Sequence, residues 1–173
     1  MHSKGSSPEP AKGRGGMDEI GTCLWFDGRA EEAATFYVEL FPNSKITDVA
    51  RWGEGGPGEA GTALTVAFEL NGRSFQGLNG GPEFVFNEAI SFTLNFDDQA
   101  ALDAKWDALT ADGGQESQCG WLKDKFGVSW QLVPRMLPGV LNGPDPAGSQ
   151  RAMAAMMGMR RLDIAALQAA YDG

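Results

Sequence analysis

IGTCLWFDGRAEEAATFYVELF, residues 20–41, decides the fold. Residues 20–26 are β-branched and aromatic, which predicts a strand. Asp27-Gly28 then opens a helix on which Ala33, Phe36, Tyr37, Leu40 and Phe41 recur at helical spacing, and Pro42 stops it. Residues 45–52 and 62–70 read as strands, and Asn71-Gly72 is a two-residue hairpin signal leading into Phe75, Gly77 and Leu78. The first half is therefore strand, helix and three strands. The second half repeats it: a strand over 89–96, a helix lined by Leu102, Trp106 and Leu109 and ended by Gly113-Gly114, then strands to Pro134. A βαβββ unit occurs twice, over 17–81 and 88–134, so 17–134 reads as one paired domain. In the second unit Phe92, Leu94 and Phe96 alternate with Ser91, Thr93 and Asn95. One face of that strand packs a helix and the other meets water or a ligand.

Beyond Pro134 a turn-rich segment, PGVLNGPDPAGSQ, leads to two helical stretches, 151–159 and 163–171, so 135–173 reads as a helical tail. Met153, Met156 and Met157 lie there, as packing against the domain or as contacts with a second copy.

The 173 residues suit one or two small domains with a real core. The net charge of −9 opposes binding to a polyanion, which excludes nucleic acid as the expected partner. Residues 1–16, MHSKGSSPEPAKGRGG, read as a disordered extension, native or vector-derived, with Met17 as the natural start. Without them the chain keeps 11 basic and 22 acidic residues, net −11. They hold the only histidine, His2, which removes histidine nucleophile pairs, histidine bases and histidine metal ligands from the folded body. Cys23 and Cys119 are too few for a disulfide framework and suit a reducing cytoplasm. No apolar run is long enough to span a membrane, so no membrane partner is expected.

Gly53-Glu54-Gly55-Gly56-Pro57-Gly58 matches the G-x-G-x-x-G pattern, but strand-like sequence follows where a phosphate loop needs a helix. It reads as a mobile connection able to close over a cavity. Glu31-Glu32 and Asp97-Asp98 sit at helix starts, where acids complement the helix dipole. Cys119, with Lys123 nearby, is a strand-end cysteine rather than a reactive thiol. Strand parity sends Trp25 and Trp130 towards helices and leaves Trp52 and Trp121 for a cavity.

LWFDGRAEEAATFYVELFPNSKI, the GEGGPG connection, LNGGPEFVFNEAISF and CGWLKDKFGVSWQLVP together resemble the PhnB-like, or 3-demethylubiquinone-9 3-methyltransferase-like, branch of the vicinal oxygen chelate superfamily, over roughly 18–172. The resemblance implies an α+β fold in which two βαβββ modules form an open, curled mixed sheet around a cavity, the glyoxalase fold, in a homodimer. In metal-dependent members four inward side chains, from the first, fourth, fifth and eighth strands, hold a divalent ion. The family's D-x-x-G-x-x-x-E signature stands here as Asp124 to Gln131, with Gln131 in the ligand position. Ser91 matches the fifth-strand position, Thr22 the first, and Gln76 or Leu78 the fourth. These groups include neither imidazole nor carboxylate, so no metal and no other cofactor is expected.

The resemblance thus leads to a metal-free small-molecule binder using Thr22, Trp52, Gln76, Ser91, Thr93, Asn95, Trp121 and Gln131, with an acidic body suited to cationic ligands. The alternatives are a metal-dependent lyase, isomerase or dioxygenase, with Glu69, Glu83 or Asp124 as candidate bases, and a dimeric scaffold presenting the Met-rich tail.

Overall fold

The computed structural model describes residues 20–173; the extension over 1–16, with His2, lies outside the described residues. The first module runs β1 (Thr22–Phe26), α1 (Ala30–Leu40), β2 (Lys45–Arg51), β3 (Ala63–Leu70) and β4 (Arg73–Asn79). The second runs β5 (Phe92–Phe96), α2 (Gln99–Thr110), β6 (Gln115–Glu116), β7 (Trp121–Lys123) and β8 (Ser129–Pro134). Each forms its own four-stranded mixed sheet, ordered β1-β4-β3-β2 and β5-β8-β7-β6, with the outer pairs β1/β4 and β5/β8 parallel. The molecule is α+β, with two βαβββ modules whose sheets are not closed.

Local chemistry explains the elements. Asn71 and Gly72 both take positive φ, 47° and 78°, as a tight hairpin between twisted strands requires. Asp98 caps α2 by accepting from the Ala101 N–H. α1 has no such local cap; its Ala30 N–H reaches across to Oδ1 of Asn79 at 2.9 Å, and Nδ2 of Asn79 donates to the Ala63 carbonyl. Gly77 lets that helix lie close on the sheet, since a Cβ there would stand 3.1 Å from the Cβ of Ala30.

Alternation sorts each strand into two faces. Leu24, Phe26, Phe75, Val66 and Phe68 are buried under α1, while Leu122, Trp130 and Leu132 are buried under α2. These two sets form one core. Phe75 meets Phe92 edge-on at 5.4 Å, and Trp130 packs on Tyr37 of α1 and on Phe41, which follows that helix. The helix-facing sides of the two sheets are thus turned towards each other, and their open faces point outwards.

The tail contains α3 (Leu137–Leu141), α4 (Pro146–Met157) and α5 (Ile164–Asp172) around a small core of Leu137, Val140, Ala152, Leu162 and Leu167. Two differences from the sequence reading fall here. A short helix occupies the turn-rich stretch, and α4 starts five residues earlier than read, because Asp145 caps it through the Ala147 N–H and Pro146 stands in its first turn. No described helix is long and apolar enough to cross a membrane.

Candidate functional site

The second module carries the clearest constellation. β5 pairs with β8 so that Thr93 stands opposite Gln131, and β7 pairs with β8 so that Trp121 stands opposite the same Gln131. Thr93, Gln131 and Trp121 therefore form one row across the open face. Nε2 of Gln131 donates to Oγ of Ser91 at 2.8 Å, which fixes the amide and leaves its Oε1 as an acceptor. Thr93 and Asn95 are exposed on this face, and Gln131 and Trp121 are half-buried. Beside the row lies a cavity of about 480 Å³ bounded by Trp121, Lys123, Gln115, Glu88 and Cys119. Nζ of Lys123 pairs with Glu88 at 2.5 Å, so the cationic group at this rim is already matched by an anion.

In the first module the register departs from expectation. Thr22 pairs with Phe75 and shares the helix-facing side with Leu24 and Phe26; Cys23 is the residue that pairs with Gln76 on the open face. Thr22 is thus displaced from the open face by one residue, which in a strand means the opposite side. Cys23 and Gln76 are exposed, and with Ser74 they border an open depression of about 460 Å³. By the same parity Trp25 faces away from α1. Its Nε1 donates to the Gly81 carbonyl at 2.8 Å and its ring meets Phe84 edge-on. Trp130 does turn towards the helices.

Trp52 is not part of either row. It lies at the end of β2, beside Arg51, Glu59 and Thr62, and the glycine-rich connection folds over its indole. A Cβ on Gly58 would fall 2.3 Å from Nε1 of Trp52, so glycine is required there for the loop to close on the ring. The loop leads into β3 rather than a helix, and it wraps this tryptophan instead of offering N–H groups to a phosphate.

Of the candidate bases, Glu69 pairs with Lys45 on the sheet surface and Glu83 is exposed. Asp124 opens the turn between β7 and β8 and is buried there, only 2% exposed. Its Oδ2 accepts from the Tyr37 hydroxyl and Trp130 Nε1 at 2.7 and 2.9 Å, and its Oδ1 accepts from the Phe126 and Val128 N–H groups. Burial pushes its carboxyl above the usual aspartate range, with these four hydrogen bonds opposing the shift. With every acceptor direction used, Asp124 ties α1 to the β7–β8 turn and is not available to a substrate. The Asp-x-x-Gly spacing signalled this role, since Gly127 at φ 87° closes the turn by donating to the Asp124 carbonyl.

The four positions that hold an ion in metal-dependent vicinal oxygen chelate proteins do not fit one here. In the observed register they are Cys23, Gln76, Ser91 and Gln131, with one thiol, no imidazole and no carboxylate, and Gln131 already bonded to Ser91. Among the described residues no group of three or more His, Cys, Asp or Glu side chains is placed to share an ion.

Two βαβββ modules, each with a four-stranded mixed sheet that is not closed, place the molecule in the glyoxalase class of folds. Within that class the chain belongs to the 3-demethylubiquinone-9 3-methyltransferase family, whose model matches residues 18–133. The PhnB protein from Bacillus cereus, described as a 3-demethylubiquinone-9 3-methyltransferase, is 36% identical over 68% of this chain and 99% of its own, with a TM-score of 0.62. A protein from Pseudomonas aeruginosa aligns over 67% of this chain and 96% of its own at 20% identity, TM-score 0.54. No curated protein matches the sequence. The family match stops at 133, short of the tail that the resemblance had been taken to include.

Proposed function

We propose that the protein binds a small organic molecule without a metal, on a surface centred on Gln131, and that it does so as a homodimer in a reducing cytoplasm. The observation that carries this is the row Thr93, Gln131 and Trp121, with Ser91 fixing the glutamine: neutral hydrogen-bonding groups beside an indole, with Thr93 exposed and Gln131 and Trp121 half-buried. The outward direction of both open faces favours a cavity completed by a second copy, whose first-module face brings Cys23 and Gln76 against Thr93 and Gln131. Phe84, Val85 and Ile90 are exposed at the margin of β1, where an isolated chain would leave them in water. The acidic body favours cationic or neutral ligands over anions. Thr22 and Trp52 are left out of this surface. The methyl transfer in the family's description finds no fit in the glycine-rich loop, which is spent on Trp52.

Native mass spectrometry tests the reading. A dimer carrying an organic adduct, lost in Gln131→Ala and Ser91→Ala, is the expected result. A stoichiometric divalent metal, or an adduct indifferent to both substitutions, overturns it.

A further inference from the structure

Beside that surface, the turn between β6 and β7 brings two sulfur atoms together from residues 38 positions apart: Sγ of Cys119 stands 3.8 Å from Sδ of Met157. The approach is built by the backbone. The Cys119 N–H donates to the Met159 carbonyl at 2.8 Å and the Gly120 N–H to the Arg160 carbonyl at 2.7 Å, so the chain after α4 is strapped across the turn. We propose that Cys119 and Met157 form a binding site for a soft monovalent metal ion, copper(I) or its analogue silver(I).

Four observations support the assignment. With sulfur–metal bonds of about 2.3 Å, two sulfurs at this separation would hold an ion at an S–metal–S angle of about 110°, within the range of trigonal and tetrahedral coordination. Thiolate and thioether are the soft donors that select copper(I) over zinc or iron, and no imidazole or carboxylate cluster competes among the described residues. The pair is reachable: Met157 is 62% exposed, and Cys119 borders the 480 Å³ cavity beside Trp121. Met153 stands one turn before Met157 on α4 and is 42% exposed, placing a third thioether on the same helix face. The ion enters as M⁺, the Cys119 S–H proton leaves to solvent, and the sulfur–metal bond replaces the S–H bond without any change of oxidation state.

The test is anaerobic competition between the full chain and bicinchoninate for copper(I). One equivalent should bind, with release of about one proton per ion near neutral pH. Cys23→Ser should leave this unchanged and Cys119→Ser should abolish it. Met157→Leu, on a surface that tolerates it, should weaken binding about tenfold or more. Retention of full affinity in Met157→Leu, or equal loss in Cys23→Ser, overturns the proposal by reducing the site to an ordinary thiol. Cys119 borders the same cavity as Trp121, but Gln131 does not line that cavity, so Gln131→Ala should not affect copper(I) binding.

Discussion

The two modules share a topology and differ in what holds them. In the first, β2, β3 and β4 are seven or eight residues long, and long ladders and apolar contact with α1 are joined by a side-chain bridge, Asn79, between α1 and β3. In the second, β6 and β7 have two and three residues, too few for a ladder to dominate. Its sheet is tied down by a buried carboxylate, by side-chain hydrogen bonds and by the tail. Oε1 of Glu116 accepts from Trp106 Nε1, and the Gln99 amide bonds both the Leu162 carbonyl and the Ile164 N–H. Arg161 pairs with Asp103 and Asp107 on α2. Shortened strands thus move the burden of a module from its backbone ladder to polar side chains. Several of those side chains hold more than one partner at once, four for Asp124 and two each for Gln99 and Arg161, so the second module is the more sensitive to single substitutions.

Asp124→Ala should break the comparison most sharply. It strands the Tyr37 hydroxyl, Trp130 Nε1 and two backbone N–H groups in the core, and the expected loss is about 3–5 kcal/mol. Urea unfolding followed by tryptophan fluorescence measures it; a loss no larger than that of a surface substitution would show that water or a neighbour satisfies these donors.

The modules should also respond to pH with opposite sign. In the first, Glu31 and Glu32 are held below the usual glutamate range by hydrogen bonds from Arg51 and Arg29, so their contribution is present at neutral pH and lost as pH falls through the lowered values. Both pairs are half exposed, so the effect is small and should fade with salt. In the second, burial raises Asp124, so the folded state holds its proton more tightly than the unfolded chain. That contribution is full below the ordinary aspartate value and is lost as pH rises through the raised one. Asp124→Asn should flatten the second dependence, and Glu31→Gln with Glu32→Gln the first. Stability curves from strongly acid to neutral pH that run parallel to the wild type for both variants would sink the assignment.

Removing the strap should cost less. Gln99→Ala deletes two hydrogen bonds between α2 and the start of α5, and about 1–3 kcal/mol is expected. Amide hydrogen exchange should then rise first at Cys119 and Gly120, whose N–H groups the same strap covers. Uniform exchange in their place would mean that the strap is not a separate unit.

Where the sequence was legible, one rule was enough. Period-two alternation placed Ser91, Thr93 and Asn95 on the open face, and the Asn71-Gly72 turn gave the hairpin. β1 is read one residue out of register: Thr22 is matched to the family's first-strand position and Trp25 is sent to the helix side by parity, whereas Cys23 pairs with Gln76 on the open face, and a shift of one residue inverts a strand. The burial of Asp124 was not legible because its partners, Tyr37 and Trp130, come from separate elements, and no local pattern reports a contact across 87 residues. The early start of α4 was legible in Asp145-Pro146, a cap followed by a first-turn proline.

The smallest effects concern how each module starts its helix. α2 is capped by its own neighbour, so Asp98→Ala should cost about 1 kcal/mol, and Asp98→Asn or Asp98→Ser should restore most of it, because the interaction is local and either side chain can accept from the Ala101 N–H. α1 is capped from β4. Asn79 accepts from the Ala30 N–H and donates to the Ala63 carbonyl, so Asn79→Ser can keep one bond at most and Asn79→Asp cannot donate at all. Conservative rescue is therefore expected at 98 and not at 79. Equal rescue at both positions in urea unfolding would mean that the first module also starts its helix from local sequence, and the division between the two would reduce to the length of their strands.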